Sequence, residues 1–238
     1  MRAPLKFNME KLSKFFINFI ANSKFLQYLA SKFVLIIPGV LTHNLSKYFL
    51  IKNVIQTLSM DQIKGDYAEF GCFTGSCLRH SARCFKKYFN NIEIKIYGFD
   101  SFEGFPEEVH KTFKSKDFKV SYEKVKELEN SGQNIKIVKG FFDKSLEDEN
   151  LKKDLKEISF AFIDCDLATS SKSVFNFIAN RLSNGAFIMI DDYFNIDINN
   201  NSIQNEFLKY FEINKNVFIY KYFGLSGVCF RYKKINSN

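Results

Sequence analysis

The chain has 238 residues, 46% hydrophobic and 25% charged, with 29 phenylalanines and no tryptophan. That composition excludes a disordered chain, and the length suits one α/β domain with an extension. The net charge of +8 is concentrated in residues 1–60, where eight basic residues face Glu10 alone; the remainder is nearly neutral, which excludes a nucleic-acid groove running across the domain.

Residues 1–60 read as a basic helical extension, and 61–238 as the catalytic domain. The longest uncharged run of the extension, Phe33 to Ser46, has 14 residues and contains Pro38, too short and broken for a spanning helix. Lys11 and Lys14 interrupt any secretory-signal core. Phe15, Phe16, Phe19, Ile20, Phe25, Leu26, Tyr28, Leu29 and Phe33 leave two readings open. One is a helical cover or homo-oligomer arm. The other is an amphipathic segment in weak peripheral contact with an anionic membrane. The five cysteines have no paired metal spacing and read as reduced thiols, which points to a cytoplasmic protein, at the inner membrane face under the second reading.

From Asp66 onward strand and helix patterns alternate. Tyr67–Phe73 is a predicted strand and Ser76–Tyr88 its crossover helix; Ile94–Phe99 is a second strand. A polar, lysine-rich stretch from Glu107 to Asp117 precedes a predicted helix over Ser121–Asn130 and a third strand over Asn134–Val138. Ile158–Ile163 and Ala186–Ile190 are the fourth and fifth strands, with a helix over Ser170–Leu182 between them. After an Asn-rich loop from Asn195 to Asn201, Val217–Phe223 and Val228–Tyr232 form a hairpin around Gly224-Leu225-Ser226-Gly227. The fold class is therefore α/β, a doubly wound, mostly parallel sheet with a C-terminal antiparallel strand.

Two of these strands carry the most informative feature. Ile158–Ile163 runs into Asp164-Cys165-Asp166, and Ala186–Ile190 runs into Asp191-Asp192. Apolar runs of this kind are buried on both faces of a parallel sheet, and their carboxyl ends are where such sheets bind ligands. Carboxylates crowd together there only with a cation or shared protons, so a hard divalent metal is expected.

The first strand leads into Glu69-Phe70-Gly71-Cys72-Phe73-Thr74-Gly75, whose glycines let backbone approach a ligand, although the loop lacks the dinucleotide pattern. The second strand ends in Asp100-Ser101-Phe102-Glu103-Gly104, placing an acid where ribose hydroxyls are held; a helix-capping role is the competing reading. Glu69 and Asp100, with an apolar shelf from Phe102 and Phe142, suit an adenosine bearing a cation. Without a P-loop, the site fits S-adenosylmethionine better than a polyphosphate.

Taken together, Glu69-x-Gly71 with Thr74-Gly75, Tyr97 to Pro106, Lys139-Gly140-Phe141-Phe142, Asp164-Cys165-Asp166-Leu167 and Asp191-Asp192-Tyr193 resemble the macrocin O-methyltransferase (TylF-type) family over roughly residues 60–232. The resemblance implies a class I methyltransferase fold, S-adenosylmethionine, magnesium or manganese, and a sugar or glycan acceptor: a nucleotide sugar, a surface glycan or a glycosylated natural product. It places Glu69, Gly71, Thr74, Gly75, Asp100, Ser101, Phe102, Gly140, Phe142 and Asp164 around the cofactor, and Asp164, Asp191 and Asp192 on the metal. Asp166 remains as the general base, beside Asp164 if the strand continues, with helix capping as its alternative role. Here a cysteine stands between the two acids where relatives commonly have glycine, and Ala168-Thr169 replaces a more usual aromatic–acid pair. His43, His80 and His110 are too dispersed for a metal cluster, and residues 105–117 have the composition of a lid. A catechol-like or polyketide acceptor, or a silent scaffold that only binds the cofactor, are the alternatives.

Overall fold

A computed structural model describes residues 22–89, 93–106 and 110–235, together with Lys14 and Phe19. Phe15, Phe16 and Ile20 of the N-terminal segment, and Glu107 at the start of the polar stretch, lie outside the described residues. The chain divides into two compact units, residues 1–42 and 43–238.

In the first unit, Lys24–Ile36 forms helix α1, started by Ser23, whose hydroxyl accepts the Leu26 N–H at 3.3 Å. This helix buries none of its side chains. Among the described residues, no single helix is long and apolar enough to cross a membrane.

The second unit takes in most of helix α2 (Gly39–Met60), which buries Leu50, Ile51, Val54, Ile55 and Leu58. Strands β1 (Asp66–Phe70), β2 (Ile96–Asp100), β3 (Ile135–Lys139), β4 (Ile158–Ile163), β5 (Leu182–Ile190), β6 (Val217–Phe223) and β7 (Gly227–Tyr232) form one sheet in the order β3-β2-β1-β4-β5-β7-β6. The strands β1 to β5 pair in parallel, and β7 runs antiparallel to both neighbours. Helix α3 (Ser76–Tyr88) spans the predicted residues and α7 (Ala168–Ala179) begins two residues before its prediction. The expected helix over 121–130 is a short α4 (Tyr122–Lys126) continued by a 3₁₀ turn, Glu127–Ser131. Three short helices carried no periodic signal: α5 (Phe142–Ser145), α6 (Glu149–Asp154) and α8 (Ile203–Phe207). None has the two turns that a periodic signal needs.

Every residue of β4 is buried. Its side chains alternate between two cores: Ala161 and Ile163 enter one, Phe160 and Phe162 the other. That is why the strand reads as a continuous apolar run rather than an alternating one. The strand order reverses between β1 and β4, and this switch point is where a doubly wound sheet opens a crevice at its carboxyl edge. There β1 ends at Phe70 rather than Phe73. Gly71 turns the chain out of the sheet at φ +91°, and a Cβ on it would lie 1.8 Å from the Asp164 carbonyl oxygen. The strand stops because the two loops leaving β1 and β4 press against each other.

Candidate active site

A cavity of about 300 Å³ opens over the carboxyl ends of β1, β2 and β4. Gly71, Asp100, Ser101, Gly140, Phe142 and Asp164, all expected at the cofactor, line it, and so does Asp166. Glu69, Thr74, Gly75 and Phe102 do not. Glu69 is buried beside Tyr67, whose hydroxyl donates to its Oε2 at 2.7 Å, and burial pushes its carboxyl up to about 8. Phe102 adopts a left-handed conformation, φ +60°, that turns its ring into the core against Tyr122. The apolar shelf is built by Phe142 as expected, with Phe73, Phe105, Phe118 and Phe141 in place of Phe102. Phe118 meets Phe105 at 4.9 Å and Phe73 at 5.8 Å between ring centroids, tying the residues after β2 to the β1 loop.

Asp100 binds these loops from below. One carboxylate oxygen accepts the Phe73 N–H at 2.8 Å and the other the Phe102 N–H at 2.7 Å. Burial raises its pKa against the pull of these amides. With a further amide contact from Ser101, the carboxylate still has acceptor capacity left for a ligand hydroxyl. Asp100→Ala is therefore expected to weaken S-adenosylmethionine binding by about 1–3 kcal/mol, the range for polar partners left unmatched. Calorimetry checks this, with Asp100→Asn separating shape from charge; unchanged affinity in folded variants would remove Asp100 from the cofactor site.

Beyond the cavity, ligand atoms of Asp164, Asp191 and Asp192 lie within 4.8 Å of one another. The residues fit a hard cation: their donors are all carboxylate oxygens, and Asp191 Oδ1 is buried with no hydrogen-bond donor. Burial, then the charge of Asp191, raises Asp164, while burial and the charge of Asp166 raise Asp192.

Asp166 reaches this group by an unexpected route. The strand ends at Ile163, and Asp166 stands in a left-handed turn at φ +59°, so no strand alternation places it beside Asp164. The turn brings its carboxyl into hydrogen-bond contact with Asp192. Asp166 also lines a second cavity of about 300 Å³ with His110, Lys111, Asn195 and Asp197. His110 Nδ1 accepts the Thr112 and Phe113 N–H groups at 3.1 and 2.9 Å, which leaves Nε2 as the protonated nitrogen of the neutral ring. The Asn-rich loop is mostly exposed, but Asp197 at its centre is buried and accepts the Asn199 and Asn201 N–H groups, each at 2.8 Å.

Two residues at the cluster were assigned no role from the sequence. Lys47 Nζ lies 2.9 Å from Asp164 Oδ2 and 2.7 Å from Asp191 Oδ2. His43 Nε2 lies 3.1 Å from either Asp191 oxygen and directs its hydrogen bond at Oδ2. Burial works to raise Asp191, yet these partners hold it below the usual carboxylate range. The one signal in the sequence was their i, i+4 spacing on a single helix face.

Residues 46–227 match the model of a family described as macrocin-O-methyltransferase (TylF). No curated protein matches the sequence. Among solved structures, the calicheamicin methyltransferase CalS11 superimposes with a TM-score of 0.68 at 18% identity, covering 98% of this chain and 95% of that one. An apo structure of CalS11, described as a TDP-rhamnose 3'-O-methyltransferase, gives 0.60 at 15% identity, with coverage of 98% and 97%. The O-methyltransferase NovP gives 0.64 at 16% identity, covering 79% and 80%. At these identities the structures bear on the fold, the one expected for class I methyltransferases.

Proposed function

The chain belongs to the macrocin-O-methyltransferase (TylF) family, and from that premise we propose that it methylates a sugar hydroxyl with a divalent cation in its acid cluster. As a member it is an S-adenosylmethionine-dependent O-methyltransferase. The sugar acceptor is supported by the family and by CalS11, described as acting on TDP-rhamnose; a nucleotide sugar or a surface-glycan precursor is the acceptor class we favour. The observation that carries the metal is the convergence of three carboxylates around a buried oxygen with no donor.

In this reading Asp100 and the phenylalanines around the first cavity hold the adenosine end of the cofactor. Asp164, Asp191 and Asp192 hold magnesium or manganese. The bound cation would polarise the acceptor hydroxyl and lower its pKa. Asp166 takes the hydroxyl proton from its place on the wall shared by both cavities. Lys111, Asn195 and Asp197 offer both donors and acceptors across the second cavity, which suits a ring bearing several hydroxyls. Phe105, Pro106 and Phe118 cover the first cavity from one side, in keeping with a lid.

A screen of nucleotide sugars and surface-glycan extracts with labelled methyl donor tests the acceptor class. Turnover confined to catechols or polyketides would replace the sugar reading, and cofactor binding without any turnover would favour the scaffold. EDTA is expected to stop the reaction, with magnesium or manganese restoring it, whereas full activity in chelator would remove the metal from the reading.

A further inference from the structure

Helix α2 delivers a fixed cation to a cluster that is itself built to hold one. His43 and Lys47 stand one turn apart, so both side chains point at Asp191. Lys47 is 8% exposed, and its ammonium engages Oδ2 of Asp164 and Oδ2 of Asp191. His43 is itself fixed. Its Nδ1 accepts the Leu225 N–H at 3.3 Å, so Nε2 carries the proton and donates to Asp191 Oδ2. The close approach of the β6–β7 turn depends on Gly224, where a Cβ would stand 2.1 Å from His43 Nδ1.

His43 Nε2 stands 3.1 Å from both Asp191 oxygens, but the hydrogen bonds are one-sided. They saturate Oδ2 of Asp191 and occupy Oδ2 of Asp164, while Oδ1 of Asp191 stays buried without a donor. We propose that Lys47 is a positioning residue for metal choice: it occupies one oxygen of each of two carboxylates, leaves each a single oxygen for the cation, and so favours magnesium or manganese over calcium. Calcium takes six to eight oxygens and readily accepts both oxygens of a carboxylate, whereas magnesium demands a compact six-coordinate set. A carboxylate held to one free oxygen serves the smaller ion. The inference rests on the metal reading above.

Manganese binding to the full-length protein, followed by electron paramagnetic resonance with calcium as competitor, tests it without turnover. In Lys47→Met the calcium needed to displace half the manganese should fall about tenfold relative to wild type, because Oδ2 of Asp164 is released and Oδ2 of Asp191 keeps only the His43 hydrogen bond. A merely structural lysine would weaken both ions together and leave the ratio unchanged. An unchanged ratio in a variant that still binds S-adenosylmethionine overturns the proposal. If Lys47→Met does not fold, Lys47→Gln, which trades the charged ammonium for a shorter, neutral amide, should shift the ratio in the same direction, and an unchanged ratio there overturns the proposal equally. Failure of the wild type to bind manganese at all would instead remove the metal reading, a result distinguishable from retained binding with unaltered selectivity.

Discussion

Replacing Asp166 with asparagine is expected to lower turnover by about 10²- to 10⁴-fold, the usual contribution of a positioned base. Asparagine keeps the size of the side chain and tolerates the left-handed backbone at φ +59°, so the loop should persist. What it removes is the proton acceptor on the wall shared by the two cavities. Burial, then the charge of Asp164, raises the Asp166 carboxyl, moving it toward the range where a base works near neutral pH. Single-turnover rates with saturating cofactor measure the loss, while calorimetry and manganese resonance check that cofactor and metal still bind. If metal affinity falls with the rate, Asp166 is a ligand and the base lies elsewhere. An unchanged rate would remove it from the chemistry altogether.

The largest effect on stability is expected at Gly71. Its φ of +91° is one that side chains with a Cβ rarely adopt, and the added carbon would meet the Asp164 carbonyl oxygen at 1.8 Å. That obstacle is backbone, so no rotamer change relieves it; either the β1 loop or the β4 loop must move. Gly71→Ala should cost on the order of 3 kcal/mol, a fall in Tm of roughly 6–12 °C for a chain of this size. Because Asp164 belongs to the displaced loop, manganese and cofactor affinity should fall as well. Calorimetric melting with and without S-adenosylmethionine checks both, and a Tm within 2 °C of wild type would show that the loops are not locked together as described.

Much of this was legible in the sequence because it is local. Apart from Ser159, Ile158–Ile163 and Ala186–Ile190 are apolar throughout because they are buried on both faces, and doubly buried strands announce a parallel sheet. The acids that follow them stand at the carboxyl edge by chain order alone, and Gly71 marks a place where only bare backbone fits. Where a side chain points was not local. Phe102 reads as an apolar shelf residue until its left-handed backbone turns it into the core, and Glu69 reads as a ligand, although its carboxyl is buried against the Tyr67 hydroxyl and does not line the cavity. Asp166 joins the cluster through a turn rather than an extended strand.

The sequence by itself determined the order of the strands and the longer crossover helices, the acids at the sheet edge and the family, since periodicity and short motifs are written in neighbouring residues. Only the tertiary structure decided that Lys47 and His43 complete the acid cluster. Lys47 is 117 residues from Asp164, and His43 is 148 from Asp191. A lysine in an apolar helix reads as a solvated charge, because the carboxylates that keep it protonated when buried come from the far ends of β4 and β5. Nothing near it in the chain records them; packing alone brings them together.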